Sequence, residues 1–161
     1  KSIRLDHVLT GGTGSDSLNL KMPEESPNRY EASSENIVAV AGLNAALKWL
    51  KNNPHETKII ELTEYLINRL SENEKVTVLG LPDNTKLHGI VSFVVDGYDS
   101  NDVGAILDEE FDVAVRTGYH CAPYIHDYLH DKDYAGTVRV GIGPFNTKQD
   151  IDDLVSGIDS L

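Results

Sequence analysis

The stretch that organises this sequence spans residues 113–123 and reads Val-Ala-Val-Arg-Thr-Gly-Tyr-His-Cys-Ala-Pro. Its first three residues, Val113 to Val115, have the β-branched character of a short strand. The polar residues that follow predict a loop, and we expect a helix to begin after Cys121. The only cysteine of the 161-residue chain therefore lies in a predicted loop between a strand and a helix.

Cys121 has two interpretations on local chemistry. A thiol attacks as the thiolate, so a nucleophilic cysteine gains from a nearby cation or a helix N-terminus. Arg116, His120 and the expected helix start could supply both. A lone cysteine can also be a small buried hydrophobe, although polar neighbours and a loop position argue against burial. The residues alone leave the two interpretations even.

Upstream of this stretch, apolar spacing predicts two helices. The first begins near Asn36 and ends at residues 52–54, Asn-Asn-Pro, because a proline pushes the preceding residue out of the helical region. The second is amphipathic, with one apolar stripe formed by Ile59, Leu62, Leu66 and Leu70.

Strands dominate the second half, and Ser100 is expected to cap a short helix among them. Thr147 with Asp150 resembles a capping box that opens a final helix. This order predicts an α/β domain of the α+β-like kind, in which helices cover a small, mostly antiparallel sheet. The predicted strands are Val76–Val78, Ile90–Val95, Val113–Val115 and Thr137–Ile142.

Composition narrows the classes of partner. The chain carries 26 acidic and 14 basic residues, for a formal net charge of -12. Such a surface repels phosphate backbones and anionic lipid, so we expect neither nucleic acid nor membrane as a partner. No apolar run is long enough to span a bilayer. A single cysteine fits a reducing compartment, and cytoplasm is the expected location.

Arg139 lies in the predicted last strand, in Thr137-Val138-Arg139-Val140-Gly141. Arginine binds carboxylates through two parallel hydrogen bonds, so an arginine in an apolar strand suggests an anionic ligand. Period-two alternation also allows Arg139 simply to face solvent, and by itself that interpretation is favoured.

A glycine-rich stretch opens the chain, reading Gly-Gly-Thr-Gly-Ser-Asp-Ser over residues 11–17. Backbone amides and hydroxyls in such a turn make a plausible phosphate cradle. The stretch is neither a P-loop nor a dinucleotide fingerprint, and a surface loop is the simpler interpretation.

A metal site is a weaker possibility. His126 and His130 lie four residues apart, which would put both on one helix face near His120 and Cys121. The spacing is less ordered than in zinc sites, and Asp127 and Asp131 make the segment resemble a polar helix face. No metal is expected.

In order, these segments resemble one family. The stretch from Arg116 to Ala122 is similar to the active-cysteine segment of the cysteine desulfurase and selenocysteine lyase group, in the class V aminotransferase superfamily. That branch combines R-x-G-x-H-C-A with a later T-x-R and an N-T helix start. Further matching segments are Thr137-Val138-Arg139, Asn146-Thr147, the glycine-rich stretch, Arg29-Tyr30-Glu31-Ala32 and Asn36.

The resemblance implies roles for the matching positions. Cys121 would attack the sulfur of an L-cysteine bound to pyridoxal phosphate, leaving L-alanine and a Cys121 persulfide. Arg139 would clamp the substrate carboxylate, with Arg116 beside the cysteine loop and Asn36 near the mouth of the site. Gly12 and Thr13 would lie at the cofactor, Thr13 reaching the phosphate of the partner subunit's cofactor in a homodimer. Arg29 and Glu31 would be structural supports.

The sequence also departs from the family. The lysine that anchors the cofactor lies upstream of the glycine loop in the family, and no such segment is present here. The resemblance therefore implies the small C-terminal domain of a type-I pyridoxal-phosphate enzyme, with a connecting segment at 1–35 and the domain at 36–161. Alone, the chain is expected to be inactive. After Ala32, the chain has Ser33-Ser34-Glu35 where the family more often has Gly-Thr-Pro, which leaves the shape of the site entrance and the substrate open.

Three hypotheses follow. The first is part of a desulfurase, with a selenocysteine lyase or another class V enzyme as its variant and a sulfur-acceptor protein as a possible partner. The second is a non-catalytic binding module of the same fold, and the third is a metal-binding domain.

Overall fold

A computed structural model describes residues 3–15, 18–80 and 89–161. The chain divides into two compact units, Lys1–Asn53 and Pro54–Leu161. Asp16 and Ser17 of the glycine-rich stretch lie outside the described residues. The unit boundary falls after the first helix rather than before it, and the domain boundary expected at residues 35 and 36 stays a prediction. Within the described ranges, no helix is long and apolar enough to cross a membrane.

The N-terminal unit ends in a single long helix, α1 (Ile37–Asn52). Asn36 caps it, because its side-chain oxygen accepts a hydrogen bond from the backbone N–H of Ala39. The helix ends just before Pro54, as the sequence predicts. Before α1 the described chain is irregular and is tied together by Arg29, which contacts the Leu5 carbonyl and Asp6.

The C-terminal unit contains the remaining helices and all the strands of the described chain. Five helices and four strands are therefore described in total, and the last helix opens with the expected capping box of Thr147 and Asp150. In chain order the elements of this unit are α2 (Glu56–Ser71), β1 (Val76–Leu79), β2 (Ile90–Val95), α3 (Ser100–Phe111), β3 (Arg116–Gly118), α4 (Pro123–Leu129), a short 3-10 helix (Lys132–Tyr134), β4 (Thr137–Gly141) and α5 (Lys148–Asp159).

The four strands form one sheet in the order β1-β2-β4-β3, and every neighbouring pair is antiparallel. Side chains alternate between its two faces. The face that carries Phe93 and Val138 packs against α2, α3 and α5 and forms the core. The expected α/β fold with a mostly antiparallel sheet covered by helices is confirmed. Arg139, one residue from Val138, consequently lies on the face turned away from these helices.

Two local expectations were wrong. The strand before the cysteine covers Arg116–Gly118 and not Val113–Val115, because the pairing register with β4 falls three residues later. Val113 and Val115 instead pack against the core from a non-strand connection. Ser100 does not cap α3, since Asp99 holds the cap position. The Ser100 hydroxyl accepts from the Gly118 N–H and donates to the Ala135 carbonyl.

Candidate active site around Cys121

Cys121 lies at the corner of a tight turn between β3 and α4. The turn closes with a hydrogen bond of 2.9 Å from the Ala122 N–H to the Tyr119 carbonyl. Its two central residues, His120 and Cys121, have φ values of 52° and 60°. Two consecutive positive φ angles are the mark of a type I′ turn, which non-glycine residues adopt at a cost. The turn leaves the Cys121 side chain exposed.

Arg116 places a cation against the sulfur. It is the first residue of β3, and its Nη2 donates to Cys121 Sγ over 3.6 Å. With Cys121 as a thiolate, this contact would be a charge-assisted hydrogen bond from the Arg116 guanidinium to the negative sulfur. The geometry therefore joins an accessible thiol to a fixed positive group, as nucleophilic cysteines require.

Arg139 adds a second cation to the same face of the sheet. It lies directly opposite Arg116 in the β3–β4 pairing, so both side chains leave the sheet on one side. Within the described part of the chain, neither guanidinium forms an ion pair with a carboxylate. Two neighbouring guanidiniums without such a partner suit an anionic ligand such as a carboxylate.

His120, the residue before the cysteine, is held as a neutral ring. Its Nε2 lies 2.8 Å from Thr137 Oγ1. Burial lowers the pKa of His120 below its usual value of 6.5, and the charges of Arg139 and Arg116 lower the pKa further. The Nδ1 atom is buried and has no hydrogen-bond partner among the described residues. The His120 ring is consequently harder to protonate than a free imidazole.

His126 and Asp131 form a buried pair behind the turn. His126 Nδ1 lies 2.7 Å from Asp131 Oδ2, and His126 Nε2 lies 3.0 Å from the Tyr119 carbonyl. Both ring nitrogens are therefore engaged, and His130 is exposed at the end of α4. Across residues 3–15, 18–80 and 89–161, no cluster of three His, Cys, Asp or Glu side chains is arranged to hold a metal.

The glycine-rich loop belongs to the N-terminal unit. Thr13 Oγ1 and Ser15 Oγ lie 2.6 Å apart; Thr13 is half-buried and Ser15 is exposed. The loop borders a cavity of about 670 Å³ in this unit, whose lining includes Gly12, Lys21 and Arg29. Hydroxyls, backbone amides and a lysine are the donors that a phosphate group accepts from. These residues fit the phosphate end of pyridoxal phosphate.

Asn36 has its side-chain oxygen committed to the α1 cap.

The sequence of the chain places it in a family. A family model described as Aminotransferase class-V matches residues 3–154. The chain belongs to this family. Among curated relatives of this class V chain, a probable cysteine desulfurase from Halalkalibacterium halodurans is 34% identical over 139 residues, covering 84% of the chain and 32% of the relative. A probable cysteine desulfurase from Methanothermobacter thermautotrophicus is 32% identical over 148 residues, covering 89% and 36%.

Solved structures agree with this class V assignment. The apo cysteine desulfurase from Thermococcus onnurineus NA1 matches with a TM-score of 0.82 and 29% identity, covering 95% of the chain and 38% of that structure. An S-sulfonic acid form of a cysteine desulfurase from Escherichia coli matches with a TM-score of 0.76 and 26% identity, covering 96% and 38%. The chain thus spans about a third of the length of these relatives.

The structure brings some of the predicted site residues of this class V chain together and not others. Cys121, Arg116 and Arg139 share one region of the C-terminal unit. Gly12, Thr13 and Asn36 belong to the N-terminal unit, so their roles stay predictions.

Sequence reasoning missed Ser100 and Thr137 as supports of the cysteine turn, and it read His126 and Asp131 as a polar surface. The spacing of His126 and Asp131 in the sequence does not indicate burial, because their burial depends on how α4 folds back onto the turn.

Proposed function

We propose that this chain is part of a pyridoxal-phosphate-dependent cysteine desulfurase, and that Cys121 takes the sulfur of L-cysteine as a persulfide while L-alanine is released. The observation that carries the proposal is the Arg116 Nη2 to Cys121 Sγ contact of 3.6 Å, with Arg139 directly opposite Arg116. A nucleophile, its cation and an anion-binding guanidinium lie together at the end of β3. A desulfurase needs all three.

The chain's own residues account for substrate placement and for the sulfur transfer. The guanidinium of Arg139 binds the carboxylate of L-cysteine. The Cys121 thiolate then attacks the substrate sulfur, an S–S bond forms and the substrate C–S bond breaks. The electron pair of that C–S bond stays on the substrate carbon, which takes a proton and becomes the methyl group of alanine. The sulfur leaves as the outer atom of the Cys121 persulfide.

Pyridoxal phosphate, when bound, supplies the electron sink that makes C–S cleavage possible. Gly12 and Thr13 in the glycine loop are the residues proposed to hold its phosphate, through backbone amides and the Thr13 hydroxyl. As part of the proposal, Thr13 serves the cofactor of the partner subunit in a homodimer. Asn36 is proposed to lie near the mouth of the site, where its amide nitrogen is still available for a ligand.

The proposal extends to the fate of the sulfur. An exposed persulfide at the corner of a turn is open to attack by a thiol of a sulfur-acceptor protein. A reducing location, such as the cytoplasm, is also proposed, because a persulfide-forming cysteine must return to the free thiol after each turnover.

The test is product analysis on the longer protein that contains this chain. Incubation with L-cysteine should give alanine and, with a reductant, sulfide in equal amounts. The Cys121→Ser variant should bind the cofactor normally, judged by visible absorption, and release neither product above background. If the wild-type protein binds the cofactor and yields no alanine, the proposed function is wrong. It is also wrong, in its assignment of Cys121 as the sulfur acceptor, if Cys121→Ser remains as active as the wild type.

A further inference from the structure

We propose that His126 is a positioning residue for Cys121, a buried imidazole whose Nε2–H holds the cysteine turn through the Tyr119 carbonyl. The inference deepens the proposed function and rests on it for its catalytic consequence. Its structural part stands on the geometry of the turn, on the hydrogen bonds of His126 and on the burial of its partner Asp131.

The cysteine turn is strained and needs external support. His120 and Cys121 both occupy the left-handed region, at φ 52° and 60°. Such a conformation is unfavourable for a non-glycine residue, so two in succession persist only where neighbouring groups fix them. The turn has one internal hydrogen bond, from the Ala122 N–H to the Tyr119 carbonyl. That single bond does not offset the strain of two residues.

His126 supplies a second hydrogen bond to the same oxygen. Its Nε2 lies 3.0 Å from the Tyr119 carbonyl, which can only accept, so Nε2 carries a hydrogen. The Tyr119 carbonyl therefore receives two donors, one from within the turn and one from α4. Tyr119 also packs its ring edge-on against His126, with ring centroids 5.1 Å apart. The first residue of the turn is fixed by both its backbone and its side chain.

The other ring nitrogen binds a carboxylate that is itself buried. Nδ1 of His126 lies 2.7 Å from Asp131 Oδ2, and the two side chains are only 2% and 1% exposed. This short contact fixes the orientation of the His126 ring, so that Nε2 points at the Tyr119 carbonyl. Asp131 Oδ1 has no hydrogen-bond partner in the described part of the chain. Among the described residues, the hydrogen bond to His126 Nδ1 is therefore what partners the buried Asp131 side chain.

The carboxylate that orients His126 is rigidly placed. The Asp131 backbone carbonyl accepts from the N–H groups of Tyr134 and Gly136. Gly136 in turn packs against the carbonyl of Gly118, the last residue of β3. Asp131, His126 and Tyr119 thus form a chain of contacts that returns, through Gly136, to Gly118 at the end of β3.

The decisive experiment compares two amides at position 126 in the longer protein that contains this chain. The amide nitrogen of His126→Gln reaches the place of Nε2 and keeps a donor for the Tyr119 carbonyl. The amide nitrogen of His126→Asn reaches the place of Nδ1 and serves only Asp131. Both variants remove the imidazole ring and keep an amide nitrogen at one of its two nitrogen positions. We expect Asn to lower kcat by on the order of tenfold to a hundredfold with little change in KM, whereas Gln restores most of kcat.

A second readout does not require turnover. The rate of Cys121 alkylation by iodoacetamide, followed by mass spectrometry of its peptide, should fall in His126→Asn and stay near wild type in His126→Gln, because a relaxed turn moves Sγ away from Arg116. Leu70→Ala serves as the stability control, because it creates a cavity in the core and position 70 is distant in sequence from the cysteine turn. It should lower the unfolding midpoint without changing the alkylation rate.

The outcomes separate the two proposals. A wild-type protein that forms no alanine would overturn the desulfurase function, and the alkylation comparison would still decide the role of His126. If the protein is active and Asn behaves like wild type, or if Gln and Asn lose kcat and alkylation rate equally, His126 does not position the turn.

Discussion

Arg116 and Arg139 lie directly opposite each other across β3 and β4, so two guanidiniums leave the same face of the sheet side by side. Like charges in this arrangement are destabilising by roughly 0.2–1 kcal/mol. The chain has a net charge of -12, yet neither arginine pairs with a carboxylate of the described residues. The positive charge is left available for a ligand, and four predictions follow from the surrounding contacts.

If the longer protein that contains this chain has the proposed activity, Arg139→Gln should raise its KM for L-cysteine by roughly ten- to a hundredfold, because the change removes a charged hydrogen-bonding group worth about 1.5–3 kcal/mol. The same change should raise the free energy of unfolding by up to about 1 kcal/mol, since it relieves the repulsion from Arg116. Steady-state kinetics and urea titration measure the two effects. Arg69→Gln is the matched control, because Arg69 pairs with Asp152 on the helical side and its loss should lower stability and leave KM alone. An unchanged KM in Arg139→Gln would contradict the carboxylate role.

Arg116→Gln should slow the alkylation of Cys121 at neutral pH by roughly fivefold, because one charge close to the sulfur in a largely hydrated setting is worth about 1 kcal/mol. Quantitative mass spectrometry of the Cys121 peptide after timed exposure to iodoacetamide measures the rate. High salt should shrink the difference between wild type and variant. Equal rates at low salt would mean that the contact of 3.6 Å does not activate the thiol.

His120 should make the stability of the chain depend on pH just below 6.5. Burial, followed by the charges of Arg139 and Arg116, lowers the pKa of His120 in the folded state from its usual 6.5. In this range the unfolded chain binds more protons than the folded chain, so the free energy of unfolding falls as pH falls. His120→Gln should flatten that fall. Urea midpoints measured from about pH 7.5 down to about pH 5 test it, and identical slopes for both proteins would refute it.

Gly136→Ala should disturb the cysteine turn and destabilise the chain by about 1–3 kcal/mol. Its φ is 97°, and an added Cβ would overlap the Gly118 carbonyl at the end of β3. Gly97→Ala is the matched control, because Gly97 has a φ of 84° with open space around it. It should cost about 1 kcal/mol and leave turnover unchanged. Equal losses of stability and activity in both variants would show that the close approach to Gly118 is unimportant.

Much of the fold follows from local rules that a sequence displays openly. The stop of α1 before Pro54 and the capping box of Thr147 and Asp150 are properties of a few adjacent residues. The boundaries that failed depend on distant partners. The strand beside the cysteine begins at Arg116, because pairing with Arg139 sets its register, although Val113 and Val115 have the stronger strand propensity.

The candidate site divides in the same way. Cys121, Arg116 and Arg139 could be named from segments that resemble the class V family, and their side-by-side placement needed only the pairing of β3 with β4. The supports of the cysteine turn could not be named. Ser100 resembles a helix cap, and His126 resembles a surface residue, until α4 and the Gly118–Gly136 contact bring them against the turn.

By itself, the sequence determined the helices and most of the strands, the acidic composition, the family resemblance and the choice of Cys121 as the proposed nucleophile, because each depends on residue type and short-range spacing. Only the tertiary structure decided that Cys121 lies in a left-handed turn beside Arg116, and that the buried His126 lies within hydrogen-bond distance of the Tyr119 carbonyl of that turn. The physical reason is that strain, burial and charge compensation arise from contacts between residues of different elements, and these contacts exist only once the sheet has set the register of its strands.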